Sequence, residues 1–303
     1  MLCFRIRADD GSAEVAATGT GTALSAAVSA AAASAFGGSA GGALSLVWQY
    51  GTGTTTATPN ASSALNMPRG CALSEDALSL AVVDAENNRV VVLRASDGAL
   101  LAAFAADDAA VGTTPMRLPS CVTLANGKMW VSDASNHRVA CFDAATHRYL
   151  TQLGQTEEAG AGDGQFTIPS GVAVHRGFVF VSDFRNHRVQ IFDEASGAHV
   201  AAIGGAQGTV DGQLAGPEGL AIDHGRGLLY VCEGVNRRVS VFDAITLAFC
   251  GKIAACGNAC GGGGGSVKAA EFQYPIGVCV DPSTSQVYVS DFKQSQVHVF
   301  AAF

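Results

Sequence analysis

No stretch of 18 apolar residues occurs anywhere in the 303 residues, so a membrane-spanning protein is not expected. Charge is scarce at 15%, and basic charge scarcer still. Lys and Arg total 18 against 26 Asp and Glu, a net charge of -8 that disfavours a nucleic acid partner. The nine cysteines are odd in number, irregularly spaced and without a Cys-x-x-Cys pair, which removes the usual signs of a disulfide scaffold or a zinc site. The N-terminus lacks a basic stretch followed by an apolar core, and Arg5 and Arg7 are followed at once by Asp9, Asp10 and Glu14, unlike an acid-poor transit peptide. A cytoplasmic, reducing setting is the expectation. A 3.6-residue apolar period is also missing, which excludes helical solenoids.

What is present is repetition. Five segments superimpose: Leu80–Leu93, Trp130–Phe142, Phe180–Phe192, Tyr230–Phe242 and Tyr288–Phe300. Their acidic positions, Asp84, Asp133, Asp183, Glu233 and Asp291, step by 49, 50, 50 and 58 residues, the last step enlarged by Gly261 to Gly265. Each unit opens with a proline, at 68, 119, 169, 217 and 275, shortly before an apolar run such as Val172-Ala173-Val174. Short Val-, Ile-, Phe- and Tyr-rich runs bounded by turn residues read as strands, and Asn126-Gly127 reads as a tight hairpin. A fourth strand follows in each unit, as at 99–104 and 198–203. Four antiparallel strands repeating every 40 to 50 residues are the pattern of propeller blades.

The units resemble NHL repeats. Ser132-Asp133 with Asn136-His137-Arg138-Val139, and Ser182-Asp183 with Asn186-His187-Arg188-Val189, carry the resemblance, which covers roughly residues 66 to 303. Asn88, Arg237 and Gln294-Ser295-Gln296 depart from it. The expected fold is all-β, an NHL-type β-propeller of four-stranded antiparallel blades, five clear and a sixth partial or degenerate. The chain divides into an Ala/Gly/Ser-rich segment, 1–43, and a propeller, 44–303. Of residues 11 to 45, 29 are Ala, Gly, Ser or Thr, too few large side chains for a well-packed blade. The fifth unit ends after its third strand, and Leu44 to Gly51 is expected to pair with Gln296 to Phe300 and cover that edge. A second outer-strand candidate is Ala13 to Gly19, which repeats Ala198 to Gly204, with Phe4 and Ile6 where a third strand would lie.

Acid and base recur five residues apart in four units: Asp84 with Arg89, Asp133 with Arg138, Asp183 with Arg188, Glu233 with Arg238. A feature repeated in every blade maintains the blade, so these pairs are read as structural. Asn87, Asn136, Asn186 and Asn236 are assigned to left-handed turn positions. Binding is expected on the face formed by the turns between second and third strands and the interblade loops 104–119, 154–169, 204–217 and 254–275. His137, Arg185, His187, Arg237 and Lys293 make its inner positions basic, while Asp107, Asp108, Glu157, Glu158, Asp163, Asp211 and Glu271 make its outer loops acidic. A mixed rim suits a protein or peptide ligand.

No catalytic residue, metal or cofactor is expected, and the protein is read as a monomer. The resemblance implies a role like that of the NHL tails of tripartite-motif ubiquitin ligases, which select substrates, although the zinc-binding RING of such ligases has no counterpart here. One alternative is a metal-dependent enzyme resembling amidating lyases or lactonases. It would need a third ligand beside His137 and His187, where the equivalent positions hold Asn88, Arg237 and Ser295. RNA binding is the other. Cys250, Cys256 and Cys260 read as an oxidation-prone loop, and Asn60-Ala61-Ser62 fits a glycosylation sequon.

Overall fold

A computed structural model describes residues 2–7, 14–19, 45–50, 65–105, 114–254 and 271–303. Gly261 to Gly265, Asp107, Asp108, Cys256, Cys260 and the Asn60 sequon lie outside these residues.

Three N-terminal strands, β1 (Leu2–Arg7), β2 (Glu14–Gly19) and β3 (Ser45–Gln49), form one sheet in the order β2-β1-β3. The repeats then form five sheets. Blade one holds β4 (Pro68–Leu73), β5 (Ser79–Asp84), β6 (Arg89–Arg94) and β7 (Leu100–Phe104). Blade two holds β8 (Cys121–Ala125), β9 (Lys128–Asp133), β10 (Arg138–Asp143) and β11 (Tyr149–Leu153). Blade three holds β12 (Pro169–His175), β13 (Phe178–Asp183), β14 (Arg188–Asp193) and β15 (His199–Gly204). Blade four holds β16 (Pro217–Asp223), β17 (Leu228–Glu233), β18 (Arg238–Asp243) and β19 (Phe249–Ala254). Blade five holds β20 (Pro275–Val280), β21 (Val287–Asp291) and β22 (Gln296–Phe300). All pairings within the blades are antiparallel, and the inner strands β4, β8, β12, β16 and β20 neighbour one another in that order, which makes the arrangement a propeller.

The second and third strands of a blade are sandwiched between neighbouring blades, so they are apolar on both faces and read as unbroken runs. In β6, Val90 and Val92 pack with Val122, Met129 and Val131 of blade two, while Val91 and Leu93 turn the other way, towards Tyr50 and Leu65. Val139 and Cys141 meet Val172, Val174 and Val179 across the next joint, and Val189 and Ile191 meet Leu229 and Val231 across the one after. The core is therefore a set of interblade layers. Outer strands such as β7 and β11 are much more exposed, consistent with their mixed sequences.

Closure of blade five departs from the sequence expectation. Ser45–Gln49 pairs with β1, with Leu2 opposite Gln49, and blade five has three strands among the described residues. β3 lies far nearer in the chain to β1 than to β22, so that pairing costs less chain entropy to close. The second candidate strand is present: Phe4 and Ile6 lie on β1, which pairs along its length with β2.

The inner strands approach so closely that side chains do not fit between their backbones. A Cβ on Gly171 would overlap the Glu218 carbonyl oxygen, and one on Gly219 would overlap that of Ile276. A Cβ on Gly70 would stand 2.7 Å from the Cys121 Cα. The residue between proline and this position, which is Arg69, Ser120, Ser170, Glu218 or Ile276, sits at the start of its inner strand, at the loop-face end of the central channel.

Candidate functional site: the interblade-loop face

Each second strand ends on a buried carboxylate: Asp84, Asp133, Asp183, Glu233 and Asp291 are all at most 1% exposed. Burying a carboxylate is costly unless its lone pairs are filled. Here they are filled from two sides. In each blade a backbone N–H of the incoming loop, on Asn66, Arg117, Thr167, Ala215 or Gln273, donates to the carboxylate at 2.5–2.9 Å. In four blades the Arg five residues on donates its Nε at 2.7–2.9 Å. Outer guanidinium nitrogens continue to loop carbonyls: Arg138 to Thr114, Arg188 to Gly162 and Gln165, Arg238 to Thr209 and Gln213. The carboxylate thus fastens the incoming loop to every blade, and in blades two, three and four the arginine holds that loop as well.

The asparagines do something other than supply left-handed backbone. Asn87, Asn136, Asn186 and Asn236 donate Nδ2 to the same carboxylates at 2.6–2.9 Å. The first three of them end short 3-10 turns. The left-handed position is the next residue: Asn88, His137, His187, Arg237 and Ser295, with φ between 51° and 55°. From there the side chain reaches the following blade. Asn88 Oδ1 accepts the Leu118 N–H at 2.8 Å, His137 Nδ1 accepts that of Ile168 at 3.2 Å, and His187 Nδ1 accepts that of Gly216 at 3.0 Å. His187 is therefore tied into a blade joint rather than simply projecting from a turn. His187→Ala should cost about 1 kcal/mol in chemical denaturation by orphaning the Gly216 N–H; an unchanged midpoint would contradict this.

The residues so held stand directly before the blade prolines, where extended backbone is the norm. Instead Leu118 and Ile168 have φ of 46° and 59°, and Ile168 is β-branched; Met67, before Pro68, has φ of 48°. Left-handed backbone at such residues costs about 1–3 kcal/mol each and is typical of functional rims. The strain does not serve burial: Met67 is 46% exposed and Leu118 36%. Val235 and Phe292 are also exposed on this face. Phe184 fills the space beside Gly216, and Tyr274 lies against Gly234.

Among these apolar groups stand exposed cations. Arg185 lies over the Phe184 ring at 5.8 Å, and Lys293 over Tyr274 at 5.4 Å. Arg69 and Arg237 are exposed, whereas His137 and His187 are half-buried. The acids lie farther out on the loops: Asp163 approaches Arg188 at 4.0 Å, Asp211 accepts from Lys252 at 2.6 Å, and Glu157 pairs loosely with Arg117 at 3.8 Å. Such exposed pairs add little to stability. Their position leaves the inner cations less neutralised than the outer ones.

Glu218, which the sequence did not single out, lies at the start of the inner strand β16. Burial pushes its carboxyl up to about 7, although the Tyr274 hydroxyl and the Arg69 charge favour ionisation. Its Oε1 has no hydrogen-bond partner. Because the folded pKa is raised above 4.5, the folded state holds the proton longer, and this group's stabilising effect falls as pH rises from 4.5 through about 7. Glu218→Gln should flatten the stability profile across that window and gain most above it. Parallel profiles for the two proteins would show that Glu218 is solvated.

With the repeated geometry in view, comparison with protein families supplies the decisive match: the NHL repeat model fits residues 166–192 and 272–300. The chain is a β-propeller that carries NHL repeats. Each matched NHL unit starts on a loop phenylalanine and ends on a third-strand phenylalanine, and the two rings touch: Phe166 with Phe192 at 5.5 Å, Phe272 with Phe300 at 5.8 Å. The second NHL match includes the unit whose Gln294-Ser295-Gln296 departs most from the pattern. Comparison with curated proteins gives no match. No helix among the described residues is long and apolar enough to cross a membrane.

Proposed function

We propose that this NHL propeller is a recognition module whose interblade-loop face binds a protein or peptide, with carboxylates of the ligand on the inner cations and its apolar side chains on the ring between them. The observation that carries this reading is the ring of Met67, Leu118 and Ile168, exposed or half-buried in left-handed backbone, the last two tied to the preceding blade. That backbone ties Leu118 and Ile168 into the blade joints and at the same time sets apolar side chains at the surface, where a ligand can reach them. Arg185, Arg237 and Lys293 supply charge beside that ring, and His137 and His187 position it. The narrower role that fits is selection of substrates for ubiquitin-dependent turnover, in a cytoplasmic setting, the propeller acting as adaptor for a separate ligase.

The test is a peptide array of varied charge and apolar content, probed with the wild-type chain and with Arg185→Ala/Arg237→Ala/Lys293→Ala. All three side chains are exposed, so the fold should survive. Acidic peptides carrying apolar residues should be retained by the wild type and bound at least about tenfold more weakly by the variant. Equal retention by both proteins would refute the reading, as would preferential capture of RNA.

A further inference from the structure

The channel mouth opposite the loop face holds a contact that the binding reading does not use. The residue that follows each inner strand's apolar run is Asp223 in blade four and Asp281 in blade five, and each accepts N–H groups of its own turn at 2.8–3.0 Å. In blade three that place belongs to His175, which ends β12 and reaches across the blade joint instead. Its Nδ1 meets the Nδ1 of His224, the residue after β16, head-on at 2.9 Å. His175 is only 4% exposed and its Nε2 has no hydrogen-bond partner, whereas His224 is exposed. Both line a cavity of about 400 Å³ at this mouth.

The contact limits how many protons the two rings can hold. One Nδ1 must stay bare to accept from the other, so the closed pair carries protons on at most three of its four nitrogens. Two neutral rings already bring two. The closed pair therefore has room for one added proton, and a second would set N–H against N–H between two like charges.

The charges around the pair do not relieve this. Arg176 follows His175 and adds to the positive charge, while Asp223 serves its own turn and lies 3.9 Å from Arg226 Nε. Glu75, on the same cavity, accepts the Asn126 N–H at 2.7 Å. Burial first, then His224 and Arg176, lower the pKa of His175 below 6.5. With the folded value lowered, the stability tied to this group is complete above 6.5 and is lost as pH falls through the folded value. β12 and β16 belong to different sheets, so no ladder of strand hydrogen bonds reinforces the contact.

We propose that His175 and His224 form an acid-sensitive latch between blades three and four, closed while the pair holds no more than one added proton and opened when both rings become cations. Opening releases His224 from β12 and widens this mouth of the channel.

Hydrogen exchange of the intact chain, corrected for the intrinsic pH dependence of amide exchange, tests the latch. A released ring titrating at 6.5 favours the open joint by about 30-fold at about pH 5 relative to about pH 7.5. Protected amides within residues 172–175 and 220–224 should therefore lose at least about tenfold in protection between those conditions, while residues 139–141, in the joint of blades two and three, keep theirs. His224→Asn puts an amide oxygen where the imidazole Nδ1 stood, so it accepts from His175 without ever taking a proton, and its protection should change by less than about twofold. Unchanged protection in the wild type, an equal loss in His224→Asn, or an equal loss along the whole chain would overturn the proposal.

Discussion

Asp183→Ala is expected to destabilise the protein by about 3–5 kcal/mol, one of the largest effects available to a single substitution in this chain. Asp183 is fully buried and accepts from Arg188 Nε at 2.9 Å, from Asn186 Nδ2, from Gln190 Nε2 at 3.1 Å and from the Thr167 N–H at 2.8 Å. Spacing alone describes a hairpin ion pair, for which about 1–3 kcal/mol would be reasonable. The structure shows a four-donor centre that also fastens a loop, and removing it leaves a cation only 9% exposed without its counter-charge. The melting temperature should fall by about 10 °C or more. Hydrogen exchange should accelerate first at residues 160–168, because Arg188 can no longer hold the Gly162 and Gln165 carbonyls in place. A shift within 1–2 °C would mean that the centre is wet and contributes little.

Gly171→Ala should be as damaging, for a different reason. The added methyl would collide with the Glu218 carbonyl and press on the Leu220 N at 2.9 Å, both backbone atoms of the next blade. Flexible side chains can yield, whereas an inner strand hydrogen-bonded to its own blade cannot do so without opening the joint. A loss of about 3 kcal/mol or more, or failure to recover soluble protein, is expected. Gly177→Ala provides the control: nothing lies within 4 Å of its Cβ position, and only its φ of 80° opposes the change. If the two variants melted together, the inner strands would not be in close contact.

How much of this was legible in the sequence follows from which features repeat. Runs such as Arg89-Val90-Val91-Val92-Leu93 mark strands buried on both faces, and their recurrence revealed the blades. The Asp–Arg spacing marked a turn whose ends meet, as Asp84 and Arg89 do. Features confined to one blade were silent. Glu218 stands in a column otherwise made of Arg69, Ser120, Ser170 and Ile276, and its burial depends on a channel that no single strand defines. His175 aligns with Asp223 rather than with His224, so no repeat alignment brings the two imidazoles together. The left-handed residue proved to be one position later than the asparagines, because those side chains are needed by the carboxylate. Ser45–Gln49 pairs with β1 and not with β22, since the alternation of a strand does not say which edge it will find. The division into 1–43 and 44–303 remains a proposal, and β3 lies close to its boundary.

Recognition by the loop face is most directly tested by hydroxyl-radical footprinting of the propeller with and without a peptide selected on the array. The account predicts protection at Met67, Leu118, Phe184, Tyr274 and Phe292, with reactivity unchanged around Asn126, Arg176 and His224 at the opposite mouth. Protection centred on those three residues, with the loop face still fully reactive, would contradict it.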